Sequence, residues 1–121
     1  MAESLARTLT RPVHVGDVVI GGGAPVVVQS MTCTPTADAR ATLQQVANLA
    51  EAGCDIVRVS VPTKEALESF REICSESPVP IVADIHFSSQ TAIMVAPFVE
   101  KVRINPGNFH RDHDEARRQF A

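Results

Sequence analysis

Residues 54–62 read CDIVRVSVP, and how their side chains alternate decides the fold. In an extended strand, successive side chains point to opposite faces. Ile56, Arg58 and Ser60 therefore share one face, and Val57, Val59 and Val61 share the other. The same split recurs twice downstream. PIVADIHF (80–87) sets Val82, Asp84 and His86 against Ile81, Ala83 and Ile85, and KVRINPGN (101–108) sets Arg103 and Asn105 against Val102 and Ile104. In each run one face is wholly apolar, and the other turns polar toward its carboxyl end.

Between these runs lie segments of helical character. Thr36 to Ala52 carries Leu43, Val46, Ala47 and Ala50 at helical spacing, with Gly53 as a stop. A second helix is expected from Thr63, an N-cap after Pro62, with Leu67, Phe70, Ile73 and Cys74 on one face and an end before Pro78. A third starts near Ser89 and breaks at Pro97. Asp112 and Glu115 are spaced as a capping box for a fourth, which the chain end truncates. An earlier run, PVVVQSM (25–31), supplies the first strand of this series. VHVGDVVI (13–20) reads as a hairpin turning at Gly16-Asp17, and Gly21 to Gly23 as a flexible link. That glycine run precedes a strand, so it is not a dinucleotide-binding loop.

The alternation of strand and helix is the pattern of a parallel α/β sheet. An open sheet covered on both sides needs two apolar faces. A barrel needs an apolar outer face and gathers polar groups at the top of its lumen. The strand faces therefore favour a barrel. Since a complete (β/α)₈ TIM-type barrel takes about 250 residues, the 121 residues here are expected to form its N-terminal half. Residues 1–11 read as a frayed terminus and 12–121 as the partial barrel, preceded by the short hairpin.

Composition narrows the function. A net charge of -3 and the presence of five Phe but no Trp or Tyr argue against a nucleic-acid surface. No apolar run is long enough to span a bilayer, and the N-terminus lacks a secretory h-region. Cys33, Cys54 and Cys74 are widely spaced, which fits free thiols in a reducing cytoplasm and shows no metal-ligand grouping. Cys54 and Cys74 fall on core positions, and Cys33 lies close to the barrel rim.

Arg58 and Arg103, near the carboxyl ends of separate strands, suit a phosphate or carboxylate ligand. Equally, both could pair with Asp84 as an ion pair inside the lumen. Asp84 and His86 could do acid–base work, or His86 could donate a hydrogen bond. Gln29, Ser30 and Thr32 are expected to add neutral donors to the rim. Asn105 and Asn108 flank a Pro106-Gly107 turn that would lift their side chains toward the same site.

The ordered motifs VQSMT (28–32), EAGCDIVRVSVP (51–62), PIVADIHF and VRINPGN (102–108) resemble the N-terminal barrel of the 4-hydroxy-3-methylbut-2-enyl diphosphate synthase family, over about Pro12 to Phe109. The resemblance implies an iron–sulfur oxidoreductase of isoprenoid biosynthesis, on the methylerythritol phosphate route. Its substrate would be 2-C-methyl-D-erythritol 2,4-cyclodiphosphate, reduced with electrons from ferredoxin or flavodoxin. By motif, Arg58, Arg103 and Asn105 match substrate-binding positions, and Asp84 and His86 line the same pocket. It implies a 4Fe-4S cluster on a C-terminal domain absent from this chain, with no metal ligand among these residues. The full-length protein is expected to be a cytoplasmic homodimer. The 121 residues alone are expected to self-associate through open sheet edges and to be inactive. Other readings are a pterin-binding barrel of the dihydropteroate synthase kind and a non-enzymatic half-barrel module.

Overall fold

The structure is a computed structural model and describes residues 8–86 and 89–105. Strands β1 (Val13–Val15) and β2 (Val18–Ile20) form the expected antiparallel hairpin, with Val15 opposite Val18. Gly16 opens its turn at φ +58, a left-handed conformation that a side chain would strain. Four strands then make a parallel sheet: β3 (Gln29–Met31), β4 (Ile56–Ser60), β5 (Ile81–Ile85) and β6 (Lys101–Ile104). They lie side by side in chain order. A doubly wound sheet reverses its strand order at a switch point, and these four strands do not. They form an arc of a barrel wall, a partial (β/α)₈ TIM-type barrel.

Among the described residues three helices cover the outer face. Helix α1 (Ala39–Glu51) starts later than Thr36, because Asp38 is the N-cap and its Oδ1 accepts from the Ala41 N–H at 3.1 Å. The hydroxyl of Thr36 is engaged elsewhere, donating to the Ser60 carbonyl. The buried face of α1 is also rotated from the one expected. Thr42 and Val46 are buried, Ala39, Leu43 and Leu49 pack beside Val46, and Ala47 is exposed. Helix α2 (Leu67–Glu76) is preceded by a 3₁₀ turn over Lys64–Ala66, so Thr63 begins that turn instead of capping the α-helix. It buries Phe70 and Ile73, packs Leu67 and Cys74 beside them, and stops at Ser77 before Pro78, as expected. Helix α3 (Ser89–Val95) gives way to a 3₁₀ turn containing Pro97.

The main core lies between sheet and helices. Val57, Val59 and Val61 from β4 and its end meet Ile81, Ala83 and Ile85 from β5, under Val46, Phe70, Ile73, Ala92 and Val95. A second, smaller cluster lies on the opposite face of the sheet. There Ile56 and Val82, near the amino ends of β4 and β5, are covered by Val15, with Val18, Ile20 and Val27 alongside. The hairpin thus seals the amino end of the lumen face.

Two loop expectations need revision. The first strand spans only Gln29–Met31 of the run at 25–31, and Val26 is 78% exposed. The three glycines are a fixed turn, not a loose link. All three have positive φ, Ala24 N–H donates to the Gly21 carbonyl, and a Cβ on Gly21 would come within 2.6 Å of Thr10 Oγ1. Of the terminus expected to fray, residues 8–11 are exposed, and Thr10 Oγ1 accepts from Gly22 N–H at 3.0 Å. The Asp112–Glu115 capping box and the Pro106-Gly107 turn with Asn108 lie outside the described residues.

Candidate functional site

The parallel register sets the layers of the lumen face. Met31 pairs with Arg58 across β3 and β4, Ser60 with Asp84 across β4 and β5, and Asp84 with Arg103 across β5 and β6. Above the apolar layer of Ile56 and Val82, the polar side chains converge on one carboxylate. Asp84 is 1% exposed as a residue. Its Oδ1 accepts from Arg103 Nη1 at 3.1 Å, and its Oδ2 lies 3.4 Å from Arg58 Nε. The side chains of Arg58 and Arg103 remain 29% and 40% exposed. So the ion pair that the sequence left open is present. Two guanidinium groups share one carboxylate, which leaves a surplus of positive charge facing the lumen.

His86 follows β5 and stands at the rim. Its Nε2 is 3.1 Å from Ser60 Oγ and 4.0 Å from Asp84 Oδ2. Asn105 directly follows β6, where it is exposed at the same end of the sheet. Arg58, Asp84, His86 and Arg103 are therefore brought together, and Asn105 sits at the edge of that group.

The neutral rim expected from β3 is differently arranged. Ser30 pairs with Val57, whose side chain belongs to the outer core, so Ser30 faces away from the lumen. Gln29 pairs with Ile56, which puts it at the amino end, far from the rim. Thr32 is buried, and its N–H donates to the Arg58 carbonyl, extending the ladder between β3 and β4. What β3 contributes to the polar layer is Met31, whose Sδ accepts from Arg58 Nη2 at 3.3 Å. Nothing polar in the residue type marks it beforehand. Only its register opposite Arg58 could have done so.

The loop after β3 is held from α1. Gln45 Oε1 accepts from the N–H groups of Cys33 and Thr34 at 2.9 and 3.3 Å, and Gln45 Nε2 donates to Cys33 Sγ at 3.1 Å. Thr42 Oγ1 donates to the Pro35 carbonyl and also meets Thr34 Oγ1 at 2.8 Å. A loop satisfied in this way is a preformed wall beside the site.

The donor set does not suit a metal cluster. Among the described residues no group of three or more His, Cys, Asp or Glu side chains could hold a metal ion. Burial, and secondarily the charge of Glu100, pushes the Cys74 thiol up to about 12, so it stays protonated and is a poor ligand. Among the described residues no helix is long and apolar enough to cross a membrane.

Comparison with known proteins agrees with this fold. A family model described as the GcpE TIM-barrel domain matches residues 10–119. A protein of Idiomarina loihiensis named 4-hydroxy-3-methylbut-2-en-1-yl diphosphate synthase (flavodoxin) is 53% identical over 114 residues, 93% of this chain and 31% of the relative. Proteins of the same name are similar in Aquifex aeolicus, at 50% identity over 109 residues (89% of this chain, 30% of the relative), and in Natranaerobius thermophilus, at 53% over 103 (84% and 29%). The chain thus spans about a third of the length of these relatives. With the family match running over nearly every residue, including all four strands of the arc, the chain belongs to the family of the GcpE TIM-barrel domain.

Proposed function

We propose that this chain is the substrate-binding part of an oxidoreductase that converts 2-C-methyl-D-erythritol 2,4-cyclodiphosphate to 4-hydroxy-3-methylbut-2-enyl diphosphate in isoprenoid biosynthesis. The names of the relatives support the reaction, and they make flavodoxin the favoured electron donor over ferredoxin. The observation that carries the reading to this chain is the arginine pair. Arg58 and Arg103 reach Asp84 from the strands on either side of it, with both guanidinium groups partly exposed.

Each residue then has a task. The two arginine forks bind the diphosphate, since they stay charged and can hold two oxygens at once. Asp84, nearly inaccessible, holds the forks in place before the ligand arrives, so little ordering remains to be done on binding. His86, steadied against Ser60, and Asn105 add hydrogen bonds at the rim. An iron–sulfur cluster would pass the donor's electrons to the substrate, but the described residues do not fit one, and its ligands belong elsewhere in the full-length protein. On this reading that protein is a cytoplasmic homodimer.

The test is Arg103→Lys in the full-length protein. Lysine keeps the charge but loses the fork. Affinity for the cyclic diphosphate should fall by roughly ten- to a hundredfold, the scale of a charge-assisted hydrogen bond of about 1.5 to 3 kcal/mol. An unchanged affinity in calorimetric titration would overturn the assignment.

A further inference from the structure

Arg58 is held in a position that its ion pair alone does not explain. Its Nε is buried and makes no hydrogen bond among the described residues, although Asp84 Oδ2 is only 3.4 Å away. A guanidinium free to settle against that carboxylate would turn to make the usual fork-to-fork pair, with two parallel N–H···O bonds. Instead its Nη2 is directed across the sheet to Met31 Sδ at 3.3 Å. The two residues are register partners on the lumen face, so the contact follows from the strand pairing and does not depend on a loop. Met31 itself is 36% exposed, on the edge strand of the arc.

We infer that Met31 is a positioning residue for the anion site. Its sulfur, a weak acceptor, draws the Arg58 guanidinium off the Asp84 carboxylate and keeps part of its fork available to an incoming phosphate. Without that acceptor, Arg58 closes onto Asp84 as a bidentate pair. A ligand must then break that pair before it can bind. The inference deepens the proposed function and rests on Arg58 being a ligand contact.

A packing role and a hydrogen-bonding role for Met31 make opposite forecasts for two substitutions. Met31→Leu keeps the apolar volume and removes the acceptor. Met31→Gln keeps the length and supplies a better acceptor, but it is less suited to an apolar contact. Calorimetric titration of 2-C-methyl-D-erythritol 2,4-cyclodiphosphate into the full-length protein should show Met31→Leu about three- to tenfold weaker than wild type, the scale of one ordinary hydrogen bond, because the thioether is a weak acceptor. Met31→Gln should stay within about twofold. Arg58→Ala, measured alongside, separates this inference from the reading beneath it. If Arg58→Ala binds as wild type does, Arg58 is no ligand contact and the proposed site fails, taking this inference with it. If Arg58→Ala loses affinity while Met31→Leu keeps it, the site stands and the role of Met31 is refuted. An order in which Gln is weaker than Leu also refutes it, by showing that Met31 only packs. Adding Met31→Leu to Arg58→Ala should cost no further affinity, since the sulfur acts through that arginine.

Discussion

The two ends of the lumen face are built from the same strands to opposite rules. At the amino end, Ile56 and Val82 are sealed under Val15 of the hairpin, and the layer is wholly apolar. Two residues further along the same strands, Arg58 and Asp84 begin a layer in which charges converge and the arginines stay partly open to water. The amino end gains stability by excluding water. The carboxyl end places cations around one buried carboxylate, an arrangement that stabilises little, because desolvation opposes the attraction. The difference teaches where the fold is anchored and where it is available for chemistry. Barrel enzymes use the carboxyl-terminal face in the same way.

The contrast can be broken from its apolar side first. Ile56→Ala removes a side chain that is 1% exposed from the sealed layer. We expect a loss of about 3 kcal/mol, read from the urea midpoint of the full-length protein. The matched change on the same face, Ser60→Ala, should cost well under half as much. Equal losses would show that the two ends are not energetically distinct.

A smaller effect is expected at the carboxylate. Asp84→Asn keeps the shape but leaves two guanidinium groups facing each other without a counter-charge. Removing one partner of a fully buried pair is strongly destabilising. Here about a third of each arginine side chain is exposed, and solvent takes up part of that cost. A loss of about 2 kcal/mol in the same assay fits a carboxylate that organises the arginines, and wild-type stability would show that it does not.

Much of this was legible in the sequence because alternation writes both faces of a strand into its residue types. The runs at 54–62, 80–87 and 101–108 gave the sheet, its outer core and the grouping of Arg58, Asp84, His86 and Arg103. Where residue type and environment diverge, the reading failed. Ala47 looks like a core residue of α1, but small side chains do not fix a helix's rotation, and the packing of Thr42 and Leu49 does. The glycines at 21–23 look loose, because the contacts that forbid side chains come from Thr10 and Pro12, ten or so residues earlier. Met31 sits in an apolar run and shows no polar signal, and Gln45 reaches the rim loop from a helix whose polar positions are usually solvent-facing. Register, helix rotation and contacts between distant segments are tertiary facts, and each of these misses depends on one of them.

The central claim is that Arg58 and Arg103 are there for a ligand, with their pairing to Asp84 in its service. It is tested most directly by titrating the cyclic diphosphate into the full-length protein carrying Arg58→Ala and Arg103→Ala together, while following its urea unfolding. The account predicts that affinity falls by at least about a hundredfold, because two charge-assisted contacts are lost, while the fold survives with a loss no greater than that of Ile56→Ala. Affinity near that of the wild type, coupled with a large loss of stability, would contradict it and leave the three side chains as a structural ion pair.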